Sequence, residues 1–557
     1  MRCVLLSCLL LPFCVFSQQT SQTNKVQELK TLIPSLIKQG NIPGLSIVLL
    51  KNGEVAWSQA FGYSNNKTKA VLTTRNVFEG GSLGKPLFAY AVMRLAELGR
   101  IDLNKPLIEY YPEKYAGDTQ RLKKITAITC LTHTTGFPDQ RPVDGVLKFY
   151  HNPGEKFSYS GEGIRYLQKA IEYKEGKGLN EIMNELIFKP LAMTNSSYTW
   201  RSDFDILKVY PHDFLGMTKE RHRTGEASAV GSLHTTASDY SKFLKSLLKK
   251  DLLQSDSYKK MLTAFTSVEE DCIECLEKGR RKLSKELSWG LGIGLQQSEA
   301  GKEYWHWEDN GNMQAFFLGK EDSKDGIVIF GNSANLLSVV EKIVNTAFDE
   351  DLPAVSWLKI VPYNRSERLA FNSILTTNKV DKKAIANLTY NQLNWVAFTL
   401  LKAEKIKEAI EVLKTRIDSS SISDSYYALA LAYMMSDNYD AAKEYSRKSA
   451  TLNASNTDAR ELLIKLEDET RIIAPSILKQ YAGQYNTPFG PADISVTGGK
   501  LYLKIAEYPV EKLVAKNETT FLANGYGFAL NFEKDKDKVK GFSFMIGNEK
   551  KEALKFK

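Results

Sequence analysis

A chain of 557 residues is too long for one hydrophobic core, so it divides into two to four domains. Its 43% hydrophobic and 25% charged residues exclude wholesale disorder. The net charge of +9, from 74 basic and 65 acidic residues, is thin and spread along the chain, so it suits an anionic envelope but gives no nucleic-acid footprint.

The chain opens with Arg2, an apolar run from Cys3 to Phe16, and Ser17-Gln18. This reads as a secretory leader over residues 1–17, with cleavage expected after Ser17 and an apolar core too short to span a bilayer. The bulky Phe13 argues against lipidation at Cys14. No later segment is apolar enough to cross a membrane. The mature chain is therefore expected to be soluble and secreted or periplasmic, without a transmembrane anchor.

Residues 25–350 read as one mixed domain. Leu45–Leu50 and Glu54–Phe61 are strands around a Lys51-Asn52-Gly53-Glu54 hairpin turn. Gly326–Gly331 is a further strand and Ser338–Phe348 a helix. Strands at both ends with helices between predict an α/β fold, with one antiparallel sheet sewn from the two termini plus a helical subdomain. Cys130 lies in an apolar context and reads as a small buried residue. Cys272 and Cys275 lack the second pair or the histidines a zinc site needs, which leaves a local disulfide or two unpaired thiols. No metal and no cofactor is expected. The basic run Arg280–Lys282 reads as a solvated loop.

Residues 380–468 become rich in Ala, Leu, Lys and Glu with helical periodicity, an all-α segment. Ala397, Leu400 and Ala409 recur as Ala430, Tyr433 and Ala442, each 33 residues on. That period resembles tetratricopeptide repeats, which bind protein partners. Two repeats are a short array, so the segment is expected to lean on its neighbours. Residues 476–557 alternate apolar and polar positions around Gly498-Gly499 and predict a small antiparallel all-β domain, sheet or barrel.

The chemistry starts from Ser-x-x-Lys, which occurs seven times, at Ser35, Ser64, Ser82, Ser246, Ser257, Ser356 and Ser476. Context selects Ser82. Gly80-Gly81 let the backbone turn sharply before it, Pro86 suits a first helical turn, and Leu87–Leu98 is a strong helix stopped by Gly99. A helix N-terminus favours developing negative charge, and Lys85 falls one turn along on the same face. A serine hydroxyl needs a base, and an amine can serve near neutrality if burial depresses its pKa by about 3 units. Tyr159, in Asn152–Ser160 just before a new helix, is placed to relay a proton, though a core tyrosine in that setting is the commoner case. His306, between Trp305 and Trp307, reads as an edge-strand residue able to contact a substrate carboxylate or carbonyl, or as part of a packed aromatic cluster.

Ser82-Leu83-Gly84-Lys85, Tyr159-Ser160-Gly161 and His306-Trp307-Glu308 occur in that order, and their spacing resembles the three motifs of class C β-lactamases and the related DD-peptidases and esterases. Leu131–Pro138, Gly231–Phe243 and Trp289–Gly294 resemble supporting segments of that family. The resemblance, over residues 25–350, implies a β-lactamase/transpeptidase-like fold and an acyl-enzyme on Ser82. It also implies proton handling by Lys85 and Tyr159, and an oxyanion hole from the N–H of Ser82 and one after His306, that of Asp309. His306 takes the place of the third motif's cation, and His133 is expected to be structural.

Two departures stand out. Gly161 replaces an Asn found in many relatives, and Glu308 replaces a Gly, crowding the edge strand or adding negative charge there. The resulting expectation is a serine hydrolase for an ester, an amide or a D-amino-acid peptide, with a small-molecule or peptide substrate. The alternatives are a binding or sensing protein for cell-wall fragments, or a scaffold whose helical repeats recruit a protein.

Overall fold

The computed structural model describes residues 13–556 apart from 142–144, 224, 271, 277–281, 300, 416, 418–421, 454–455, 457, 461, 464–465, 467–472, 506–509, 524–527, 536–537 and 547–548. Most of the expected leader, and Arg280 and Arg281, lie outside the described residues. The backbone of residues 13–17 runs on into helix α1 (Phe13–Gln39).

Among the described residues, eleven strands organise the first unit. They are β1 (Gly44–Lys51), β2 (Glu54–Asn65), β3 (Ala70–Val71), β4 (Phe78–Glu79), β5 (His234–Thr235), β6 (Thr266–Glu269), β7 (Leu283–Trp289), β8 (Gly294–Ser298), β9 (Gly301–Asp309), β10 (Gln314–Lys320) and β11 (Gly326–Gly331). Nine form one antiparallel sheet in the order β3-β2-β1-β11-β10-β9-β8-β7-β6, and β4 pairs with β5 apart from it. The first and last strands of the unit pair side by side within the sheet, with Leu45 opposite Gly331 and Leu50 opposite Gly326. The predicted sewing of the two ends is therefore present. The β1–β2 hairpin turns through Asn52 and Gly53, both at positive φ, as a two-residue turn of this hand requires.

Alternation along β1 sends side chains to two cores. Leu45, Ile47 and Leu49 pack with Leu29, Ile33 and Leu36 of α1 and with Val339, Val340 and Ile343 of the helix Leu337–Phe348. Val48 and Leu50 point the other way, toward the helical half, with Leu83, Leu87 and Leu244. Each such side chain, removed from water, contributes about 1.5–3 kcal/mol. A one-residue slip of β1 would exchange the two sets, so its register is fixed.

Beyond this unit, two helix pairs follow: Tyr390–Lys402 with Ile406–Lys414, then Ser423–Met435 with Tyr439–Leu452. Their starts repeat at the 33-residue offset read from the sequence. Ala397, Ala409, Ala430 and Ala442 are fully buried, where small side chains let helices approach. The array also leans on a neighbour: Phe371, from the helix Ser366–Thr377, packs on Trp395 and on Phe214 of the first unit. The terminal β module is a closed eight-stranded barrel from Gly483 to Lys555, so of the two forms predicted, sheet or barrel, the chain adopts the closed one. Closure removes the exposed edges of a small sheet.

Among the described residues no helix is long and apolar enough to cross a membrane. Cys272 and Cys275 form a disulfide, and Cys130 is a buried free thiol.

Candidate active site

Ser82 is held by a turn that favours glycine. β4 ends at Glu79, and the N–H groups of Gly80 and Gly81 both donate to the Leu233 carbonyl. Gly81 then adopts φ +46°, a left-handed conformation that costs a side-chain-bearing residue free energy. A 3₁₀ turn, Gly81–Leu83, runs directly into helix α2 (Gly84–Glu97), with Lys85 and Pro86 in the first helical turn. Tyr240 donates to the Leu83 carbonyl (3.0 Å) and Tyr198 to that of Gly84 (2.7 Å), so buried phenols clamp the turn. Gly99 at φ +66° follows the helix end, as predicted.

Lys85 is 1% exposed, and its Nζ donates to Ser82 Oγ at 2.7 Å and to the Val230 carbonyl at 2.8 Å. Among the described residues no carboxylate touches it. Burial lowers its pKa to about 8, the charges of Asp139 and Glu308 oppose that fall, and Arg165 adds to it. About one molecule in ten therefore carries the free amine at pH 7.

Tyr159 arrives on a loop locked from both sides. Its N–H donates to the Ile273 carbonyl, Ser158 N–H donates to that of His133, and Ser160 N–H donates to His133 Nδ1 (3.0 Å). Ser160 also caps the helix Gly161–Glu175 through Gly163 N–H. The His133 ring stacks on Tyr159 at 4.4 Å, which gives that histidine a positioning role. The Tyr159 ring lies 5.0 Å from Lys85 Nζ, so the phenol and the amine share one pocket. Burial and the charge of Asp139 push the phenol well above its ordinary pKa, and the Ser82 hydroxyl opposes that rise. The hydroxyl is buried without a well-formed hydrogen bond, so it stays protonated.

The third motif lies where the sheet opens. β8 pairs with β9 only as far as Trp305, so His306–Asp309 has β10 on one side and a bare edge on the other. Asn310 N–H donates to Met313, beyond the end of β10, so strand alternation turns the Asp309 N–H to the bare edge. The Asp309 carboxylate accepts from Gly311 N–H (3.0 Å). His306 is fully buried, its Nδ1 engages the backbone of Trp307, and burial with the Lys85 charge lowers its pKa to about 3. It is a neutral wall of the aromatic cluster with Tyr159, Trp289 and Trp307. The sequence-based expectation that it meets a substrate carboxylate is not supported by this placement: no surface of His306 is open and it carries no charge.

Glu308 points to the same face as His306, and its carboxylate accepts the backbone N–H of Ser82. A Cβ on Gly81 would lie 2.1 Å from the Glu308 carboxyl carbon, so the bare glycine is what seats it. Burial raises the Glu308 pKa to about 7, against the pull of Ser82 N–H and Lys85.

The other departure also finds its reason here. A Cβ on Gly161 would lie 2.5 Å from the Asp139 carbonyl oxygen and 2.9 Å from its carboxylate. Asp139 fills the room an asparagine would need, and its charge acts on Lys85 and Tyr159. Sequence reasoning missed Asp139 and the Val230 carbonyl. The one available signal was position, since Asp139 directly follows the Leu131–Pro138 segment.

The chain is 26% identical to Protein flp of Staphylococcus aureus (strain MRSA252) over 259 residues, covering 42% of this chain and 50% of that one. It is 24% identical over 270 residues to the Putative penicillin-binding protein PbpX of Bacillus subtilis (strain 168), covering 45% and 66%. The chain thus spans about half the length of the staphylococcal relative. A penicillin-binding protein homologue from Pyrococcus abyssi, described as octameric, superposes with a TM-score of 0.48 and 17% identity, covering 95% of this chain and 99% of that one. The sequence model of the family described as Beta-lactamase matches residues 29–339, more than half of the chain and the stretch that holds every group at the Ser82 turn, so the chain belongs to the Beta-lactamase family.

Proposed function

We propose that this protein is an exported serine hydrolase that forms an acyl-enzyme on Ser82, acting on an ester, an amide or a D-amino-acid-containing peptide. The observation that carries the reading is the 2.7 Å contact from a buried, depressed-pKa amine to the only partly buried serine hydroxyl. In the free-amine form Lys85 accepts the Ser82 proton as Oγ attacks the acyl carbon. Tyr159, held as a neutral phenol, passes that proton toward the leaving group. The oxyanion is received by the N–H groups of Ser82 and Asp309, each such donor contributing about 2.7–4 kcal/mol to the transition state. A water then releases the acyl group.

The substrate is placed by what the site lacks. His306 is neutral and buried, and Glu308 is acidic, so the third motif offers no cation for an anionic acyl donor. Neutral or cationic donors fit better than carboxylate-bearing β-lactams. The leader-like first residues support export.

A second reading is a weakly catalytic binding protein for cell-wall fragments, favoured by the carboxylate on Ser82 N–H. Activity profiling decides between them. Ser82-dependent turnover of a p-nitrophenyl ester or a D-amino-acid amide supports the hydrolase. Equal signal from Ser82→Ala rejects it.

A further inference from the structure

We infer that Glu308 is an internal competitor for the oxyanion hole: its carboxylate holds the place of the acyl oxygen on Ser82 N–H, and a substrate acylates the enzyme only by displacing it. This rests on the hydrolase reading above and names how that site is regulated.

Three observations meet at one point. The Glu308 carboxylate accepts Ser82 N–H, the donor an acyl oxygen needs when Ser82 Oγ attacks. The turn is shaped to receive it, because any side chain at residue 81 would overlap the carboxyl group. The strand carrying it pairs with β10 on one side, and among the described residues no strand pairs with its other edge at this point. A carboxylate on a backbone N–H is a charge-assisted hydrogen bond, about twice as strong as the one a neutral carbonyl makes. The resident group therefore outcompetes an ester or amide oxygen in the ground state.

The charges facing Glu308 set when it lets go. Lys85 attracts it from α2, Asp309 repels it along its own strand, and Tyr159 faces it from the opposite loop as a neutral phenol. His306, beside it on β9, is neutral, and Asp139 acts on Lys85 and Tyr159. Below about pH 7 the side chain becomes a neutral acid, a weaker acceptor, and the N–H is freed. Above that pH the anion stays. Lys85 asks for the opposite, since it is a base only as the free amine above about pH 8. The wild-type rate is then confined to a narrow maximum between the two values, which belong to the pair as a whole.

The test is the second-order rate of Ser82 labelling by an alkyl fluorophosphonate, measured from pH 5.5 to 9.5 in wild type, Glu308→Gly and Glu308→Gln. Ser82 Oγ bonds to phosphorus as the P–F bond breaks, the serine proton passes to Lys85, fluoride leaves, and the phosphoryl oxygen takes the Ser82 N–H. At pH 8.5 we expect Glu308→Gly to label at least tenfold faster than wild type and Glu308→Gln severalfold faster. Both variants should lose the alkaline fall and level off above about pH 8. Equal or slower labelling of Glu308→Gln, in protein whose melting temperature matches wild type, overturns the inference whatever the glycine variant does. Labelling of all three with the same pH profile overturns it too, and leaves the hydrolase reading intact. No Ser82 labelling in any of them, judged against Ser82→Ala, rejects the hydrolase reading and the inference together.

Discussion

Two buried lysines flank the turn that carries Ser82, and their surroundings separate an ion pair from a tuned base. Lys208 pairs directly with Glu79 at 2.9 Å and also meets the His222 carbonyl and His234. Lys85 touches a hydroxyl and a backbone carbonyl and, among the described residues, no carboxylate. Burial lowers both amines, but at Lys208 the touching carboxylate is the main opposing influence, whereas at Lys85 the opposing charges act from a distance. An ammonium in contact with a carboxylate keeps its proton and contributes to structure; one held by neutral acceptors alone can part with it. The same residue type, beside Ser82 in one case and paired with Glu79 just before its turn in the other, thus serves two ends.

That contrast is most easily broken by removing the groups themselves. Ser82→Ala and Lys85→Met should each lower kcat/KM on an active ester by at least about 10³-fold while the protein still folds, measured by steady-state kinetics beside a melting curve. Retained activity in Lys85→Met would make Lys85 a structural lysine like Lys208. Tyr159→Phe should cost about 10²-fold, with little change in melting temperature, because among the described residues its hydroxyl makes no well-formed hydrogen bond. Lys208→Met should do the reverse, costing about 3 kcal/mol in denaturant unfolding through the unpaired Glu79 while each folded molecule keeps its activity.

The pH profile sharpens the comparison further. On the proposed reading Lys85 is the base as free amine, so in Glu308→Gln, where the carboxylate charge that props up its pKa is gone, the rate should fall about tenfold per unit below a value lower than the wild-type value of about 8 and flatten above it. The same shift acts on stability. Between the folded value near 8 and the ordinary value of 10.5 the unfolded chain binds the extra proton, so this lysine makes unfolding harder as pH rises through that window. A Lys85→Met protein should lack that slope in denaturant melts. The smallest effect concerns the second motif. Gly161→Asn places a side chain against Asp139 and should destabilise by about 1–3 kcal/mol without restoring any family contact.

Much of this molecule is written in local pattern. Alternation marked the strands, the 33-residue recurrence of small residues marked the helix pairs, and Gly80-Gly81 with Pro86 marked the helix start that presents Ser82 over six other Ser-x-x-Lys matches. These are short-range effects of backbone freedom and side-chain period, which a linear sequence displays directly. Closure of the last β module and the Cys272–Cys275 bond were left open by the same pattern, because each depends on three-dimensional backbone geometry that residue periodicity does not display. The states of the site's polar groups depended on the tertiary structure most. Glu308 lies 226 residues from Ser82, and Asp139 reaches Lys85 across the start of another helix. Sequence named a carboxylate where relatives have glycine. Only the folded chain decided that it lies on the Ser82 N–H, and that His306 is a buried neutral ring, since hydrogen bonding and desolvation are properties of the surroundings and not of the residue.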